Sequence, residues 1–360
     1  MKQGFILAFL TRVCNPRAAT GRARSRNPRP RLLSEMRCFE TLAAMARSLL
    51  ILLAVALLGS CTLRPADHRG ARAPGEAEIV PLRAERPVLA LVLGSGGSRG
   101  FAHIGVIKAL EAAGIEADIV TGASAGAIVA ALYAGGRSGR ELEEIALGLE
   151  QGDLVDIALF GDGWVHGIAL QDFVNRMVDK RPIEGLARRF AVVATEARTG
   201  RMAVFNRGDT GLAVRASASV PRLFVPPVIS GEAYLDGGIS SPVPVKIARA
   251  MGADIVIAVD VSWFAQARVA AAADMERYNR SGRYALLMEE LDAADVVIVP
   301  RTVRARMLDF TQREANIAAG EAAGREAVPQ LRELLARAAA FKQAGLRRPI
   351  ASPGGETEAP

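Results

Sequence analysis

Two serines of this chain stand in the same local pattern, Gly-x-Ser-x-Gly, and each pattern joins an apolar run to a helical one. The first is Ser98 in LVLGSGGSRGFAHIG; the second is Ser124 in DIVTGASAGAIVA. A sharp strand-to-helix turn strains the backbone at its apex and pushes the serine hydroxyl outward, which suits a nucleophile. The glycine-rich stretch from Gly94 to Gly100 admits other uses. Backbone N–H groups at the start of a helix attract a phosphate or an oxyanion that exists only during a reaction.

The flanking residues separate these uses. Arg99 would crowd the apex beside Ser98, whereas Ala123 and Ala125 flank Ser124, so Ser124 is the favoured nucleophile, with Gly122 and Gly126 relieving its turn. The Gly94–Gly100 loop then supplies backbone donors, and Arg99 adds positive charge or ties the loop down. Phosphate motifs fit less well: no lysine follows these glycines as in a P-loop, and Arg99 stands where G-x-G-x-x-G needs its third glycine.

A serine nucleophile needs a base within hydrogen-bond reach. The three histidines are poorly placed: His68 lies in a proline- and arginine-rich stretch, His166 in a loop pattern, and His103 inside a helical pattern that suggests a core role. Asp236 in AYLDGGISSPVP ends a short apolar run before two glycines that permit close backbone approach. Taken alone, its Asp-Gly pair would read as a hairpin turn.

The elements that must position these residues have an α/β rhythm. Continuous apolar runs (VLALVL, ADIVTG, FAVVATEA, DIVIAVDVS, DVVIVP) fit strands of a mainly parallel sheet buried on both faces. Helical patterns alternate with them, including residues 244–253, most of 136–189, and one or two amphipathic helices over 311–342. The GDGWVHG segment within 136–189 reads as a loop near the mouth of a site.

In their order along the chain, GSGGSRGFAHIGVIKAL, TGASAGAIVAALYA, RASASVPRLFVPPV and YLDGGISSPVPV resemble the patatin-like phospholipases of bacteria, akin to the catalytic region of neuropathy target esterase. The resemblance covers roughly residues 88–325. It implies a three-layer α/β/α patatin-like fold, a Ser124–Asp236 dyad, and an oxyanion hole lined by Gly96, Gly97 and Ser98 and completed by Arg99 and Gly100. Ser217, Ser219 and Pro221 match a family segment beside the site, in structural rather than reactive roles. One departure is Ser95, where the family loop carries glycine; it is tolerable if Ser95 keeps an ordinary backbone conformation.

The implied chemistry is acyl transfer, in which Asp236 takes the Ser124 proton, the serine attacks an ester carbonyl, and loop amides hold the oxyanion. Water then releases the acyl group. An aspartate near its reference pKa of about 3.9 is a weak base for a serine, so burial must raise that value or geometry must compensate. The expected substrates are phospholipids, lysophospholipids or simple acyl esters, with no cofactor. No cysteine and histidine spacing suits a metal.

Charge distribution excludes a nucleic-acid partner. The formal charge is +7, but residues 1–34 hold eight arginines and lysines and no acid, which leaves −1 for the remainder. The basic leader precedes SLLILLAVALLGSC, an apolar segment of export-signal length. Leu58, Gly59, Ser60 and Cys61 resemble a bacterial lipobox, which makes Cys61 the expected lipidation site. Thr62 in place of aspartate favours the outer membrane of a Gram-negative envelope. The expected organisation is therefore leader and signal peptide over 1–60, tether over 61–87, catalytic domain over 88–342, and a disordered tail over 343–360. Two other readings keep the same residues: a non-catalytic lipid-binding envelope lipoprotein of this fold, and a nucleotide-binding protein.

Overall fold

A computed structural model describes residues 47–48, 66–157, 163–262, 282–303 and 306–344. The chain divides into two compact units, Met1–Leu63 and Arg64–Pro360. The basic leader, Cys61 and the tail from residue 345 lie outside the described residues, and every element below belongs to the second unit.

The described strands are β1 (Asp67–His68), β2 (Leu89–Leu93), β3 (Ile119–Ala123), β4 (Arg189–Glu196), β5 (Met202–Phe205), β6 (Val228–Ile229), β7 (Glu232–Leu235), β8 (Ile255–Val259) and β9 (Val296–Ile298). They form one sheet whose neighbours run β1–β6–β7–β4–β3–β2–β8–β9, with β5 also paired to β4. From β4 through β3, β2 and β8 to β9 every pair is parallel. Around β5, β6 and β7 the pairs turn antiparallel, and β1 rejoins β6 in parallel.

The α-helices are α1 (Phe101–Ala112), α2 (Ala125–Ala134), α3 (Gly139–Gly148), α4 (Ile168–Met177), α5 (Thr210–Ser217), α6 (Val245–Ala250), α7 (Arg283–Asp292) and α8 (Arg313–Gln343). Strand residues alternate between two cores because successive side chains leave a strand on opposite faces. Leu89, Leu91 and Leu93 join a core with residues of α1 to α5 and α8. Ala90 and Val92 face a smaller one built with α6 and α7. Burial on both faces is why the parallel strands read as unbroken apolar runs, and the result is the three-layer α/β/α architecture expected.

One expectation changes in detail, and one of two alternatives is decided. Residues 61–87 read as a tether, yet from Asp67 onward the stretch belongs to the domain. Asp67 and His68 pair with Val228 and Ile229, the Ala77 backbone exchanges hydrogen bonds with the Asn206 side chain, and Ile79 and Leu82 pack on the smaller core. These ties are mostly made by backbone, so they leave no periodic side-chain signal. The helical pattern over 311–342 is a single helix, α8, which continues through Pro329. It crosses α1 so closely that a Cβ on Gly105 would stand 1.9 Å from the Ile317 carbonyl oxygen.

Candidate active site

Strand register brings the serine and the aspartate together. On β4, Val193 pairs with Ala123 of β3 on one edge and Val204 of β5 on the other. Thr195 pairs with Met202 of β5 and Leu235 of β7, so β7 shares the β3 edge. β3 and β7 therefore approach each other end to end along β4. One residue beyond each lie Ser124 and Asp236, both level with Ala194.

At that junction the Ser124 hydroxyl donates to Asp236 Oδ2 at 2.6 Å, with both residues 7% exposed. Ser124 occupies φ 54°, ψ −124°, a conformation that costs a non-glycine residue about 1–3 kcal/mol and turns its side chain out of the strand. Its neighbours explain the Gly-x-Ser-x-Gly pattern. A Cβ on Gly126 would lie 2.1 Å from the Leu93 carbonyl oxygen, and one on Gly122 would lie 2.8 Å from the Gly126 oxygen. The Ser124 amide donates to Ser217 Oγ at 2.9 Å, which ties the strained turn to the end of α5.

Asp236 caps a short 3-10 turn, Gly237–Ile239, rather than a two-residue hairpin. Its Oδ1 accepts from the Gly238 amide at 2.8 Å, leaving Oδ2 to face the serine. Its own amide donates to the Ser219 carbonyl, and Thr195 Oγ1 donates to the Asp236 carbonyl at 2.8 Å. Gly237 passes so near β4 that a Cβ there would lie 2.1 Å from the Val193 oxygen.

The glycine-rich loop lies beside the serine turn. Its first amides are already used, Gly94 on the Val259 carbonyl and Ser95 on that of Pro242. The next three, Gly96, Gly97 and Ser98, precede the first residue that can donate within the 3-10 turn Gly97–Gly100, so that turn leaves them without partners of its own. Ser98 spends its hydroxyl on the Arg306 carbonyl at 2.9 Å, and Arg99 spends Nε on that of Val261 at 2.8 Å. Arg99 thus ties the loop down. Gly100 lets the loop meet the serine turn, since its Cβ would stand 2.8 Å from that of Ala125. Ser95 is absent from the described non-glycine residues with positive φ, and its side chain fits against Gly238.

The histidines lie in other surroundings. His103 is fully buried, and burial pushes its pKa down to about 4. Its Nε2 lies 2.8 Å from the Gly94 carbonyl, so that nitrogen carries the proton and the imidazole is neutral. His68 lies in β1, and the His166 amide donates to the Asp156 carbonyl.

An apolar cavity of about 130 Å³ opens onto Ser124. Its walls come mainly from α1, α2, α3 and α4. Among the described lining residues, only Ser98 and Ser124 carry polar side chains. No cluster of three or more metal-ligating side chains occurs among the described residues. No helix among them is long and apolar enough to cross a membrane.

Residues 91–249, which include both Ser124 and Asp236, match the family model described as patatin-like phospholipase. The chain carries a patatin-like phospholipase domain. An uncharacterized NTE family protein of Mycobacterium bovis is 35% identical over 192 residues, covering 52% of this chain and 53% of that protein. Patatin-like phospholipase domain-containing protein 6 of Homo sapiens is 36% identical over 182 residues, 48% of this chain and 13% of the human one. The chain thus spans about half the length of the mycobacterial relative and a small part of the human one. Among solved structures, VipD from Legionella pneumophila aligns with a TM-score of 0.46 and 16% identity, covering 73% of this chain and 71% of its own.

Some residues of this patatin-like domain escape sequence reasoning. Thr195 reads only as part of a strand, yet its hydroxyl reaches both the Asp236 carbonyl and Ser240 Oγ. Glu290 sits in α7, far along the chain, and accepts from Ser241 Oγ and the Lys246 amide just beyond the aspartate loop. Burial raises the Glu290 pKa. Nothing local to Glu290 signals this contact. The one clue for Ser217 was its place in RASASVP, two residues before Ser219.

Proposed function

We propose that the chain is a serine lipid acyl hydrolase acting on phospholipids, lysophospholipids or simple acyl esters. One observation carries this reading: the Ser124 hydroxyl is 2.6 Å from the Asp236 carboxylate at the wall of an apolar cavity. Asp236 Oδ2 accepts the serine proton as Ser124 Oγ attacks the ester carbonyl carbon. The amides of Gly96, Gly97 and Ser98 stabilise the oxyanion, while Arg99 and Gly100 fasten the loop that presents them. The leaving alcohol takes the proton from Asp236. Water, activated by the same carboxylate, then attacks the acyl-enzyme and frees the fatty acid.

A close approach offsets the weak basicity of an aspartate by holding donor and acceptor aligned before reaction. The cavity gives a reason for lipid esters, because an apolar chain gains about 0.8 kcal/mol for each methylene it buries. Lipidation at Cys61 would hold the domain at an envelope membrane where such substrates are concentrated; labelled palmitate incorporated by the full chain but not by Cys61→Ala tests this.

Titration with a fluorophosphonate probe tests the chemistry. Wild type and Ser98→Ala are expected to label, whereas Ser124→Ala and Asp236→Asn are expected not to. Labelling lost in Ser98→Ala alone would transfer the nucleophile to the first turn. Folded wild type that never labels would favour a lipid-binding protein without catalysis.

A further inference from the structure

The cavity beside Ser124 has a length that two helices define. α2 lines it with Ala125, Ile128, Val129 and Leu132, the spacing of a single helix face. α3 lines it with Leu142, Ile145 and Ala146 at the same spacing, and Leu149 adds to the wall one residue beyond the helix end. After the short connection over 135–138, Gly139 at the start of α3 donates to Glu111 near the end of α1, and Arg313 at the start of α8 donates to the Ala146 and Leu149 carbonyls, so α3 runs back toward the loop beside the serine.

The two ends of the cavity differ. At the serine end lies Met307, which is 45% exposed and packs against the Gly97 backbone. The α3 end nearest Leu149 is held at this same mouth, where Gln151 Nε2 donates to the Leu308 carbonyl. At the far end Leu132 is 4% exposed and Leu142 2%, and Leu170 and Phe173 of α4 line the same cavity.

From Ala125 to Leu132 seven residues at 1.5 Å rise, and from Leu142 to the end of α3 at Gly148 six, give a depth of roughly 10 Å. An extended chain advances about 1.2 Å per bond, as three backbone bonds span about 3.6 Å, so this depth holds about eight carbons. We propose that the Leu132–Leu142 floor is an acyl-length gauge that makes this domain selective for medium-chain acyl esters. The proposal rests on the acyl hydrolase reading above and adds the substrate class to it. A longer chain meets leucine side chains anchored in the main core.

The test is the chain-length profile of kcat/KM for p-nitrophenyl esters from acetyl through octanoyl to palmitoyl, using the full chain. In wild type the value is expected to peak near octanoyl and to fall by well over tenfold at palmitoyl, since a single excess methylene already costs a hydrophobic pocket about tenfold. Leu132→Ala deepens the floor and is expected to move the peak toward longer chains; Leu132→Phe raises the floor and is expected to move it toward shorter ones. The quantity compared is the palmitoyl-to-octanoyl ratio within each variant, which is independent of how much protein folds. Leu142→Ala repeats the test from the opposite wall. A wild-type profile that keeps rising to palmitoyl, or a ratio unchanged by Leu132→Ala and Leu142→Ala, would overturn the gauge while leaving the hydrolase reading intact. Folded protein that hydrolyses no ester would overturn that reading, and the gauge with it.

Discussion

Ser124 and Asp236 meet from opposite kinds of sheet. The serine follows β3, five buried residues paired along their length with parallel neighbours on both sides. The aspartate follows β7, four half-buried residues that pair at two positions with β4 and at two with β6. The parallel half thus fixes its catalytic candidate by burial and a full ladder. The antiparallel half fixes its own by local devices: the Gly238 amide on the carboxylate, Thr195 and Ser219 on the backbone, and the close passage of Gly237 against β4. One half should tolerate local changes at the site better than the other.

The largest effects separate chemistry from scaffold. Asp236→Asn is expected to lower kcat by about 10³–10⁴, the range seen when the base or its orienting partner is removed from a serine nucleophile. Ser124→Gly should lower it at least as far, yet raise stability by about 1 kcal/mol because glycine relieves the φ of 54°. Thermal unfolding run beside the kinetics checks both; a Ser124→Gly variant no more stable than wild type would argue against stored strain at that turn.

Gly237→Ala attacks the antiparallel side directly. A methyl group 2.1 Å from the Val193 oxygen forces β7 and the aspartate loop away from β4. The expected loss is about 3 kcal/mol of stability together with most activity, since overpacking moves the proposed base as well as straining the fold. Denaturant unfolding and kcat, measured on the same preparation, should fall together. Activity retained at reduced stability would mean that the aspartate is held without Gly237.

The same contrast governs what could be read from sequence. Runs such as VLALVL and DIVIAVDVS were legible because strands buried on both faces need apolar residues at every position. The glycine patterns were legible because backbone crowding forbids a side chain at Gly122 and Gly126. The segments β5, β6 and β7 are short and their pairing depends on register with β4, which no local pattern encodes. β1 and the stretch to Pro87 were read as a tether because their ties are mostly backbone hydrogen bonds. The link from Glu290 to Ser241 joins positions 49 residues apart, a separation that leaves no spacing to recognise.

Acid should open the parallel half through His103. Its folded pKa lies near 4, against about 6.5 in an unfolded chain, because burial disfavours the charged ring and Nδ1 has no hydrogen-bond partner among the described residues. Stability from the neutral ring is full above pH 6.5 and is lost as pH falls toward 4, a difference of about 3 kcal/mol. His103→Gln can still donate to the Gly94 carbonyl and has nothing to protonate. Chemical denaturation between pH 7 and pH 4 should therefore be less pH-dependent in that variant, and equal slopes would remove His103 as the cause.

The smallest effect tests how the halves are joined. Ser217 Oγ accepts from the Ser124 amide, so the helix leading toward the aspartate side holds the turn built by the parallel side. Ser217→Ala leaves a buried amide without this acceptor, which costs about 1–2 kcal/mol. If the bond holds Ser124 in its strained conformation, part of that cost should appear as a severalfold lower kcat with little change in KM, because the serine is misaligned rather than the substrate unbound. Ser217→Thr keeps an acceptor oxygen at the position and should recover much of the loss if the added methyl is accommodated. A drop in stability with kcat unchanged would show instead that the parallel ladder alone sets the serine, and that α5 contributes packing and no alignment.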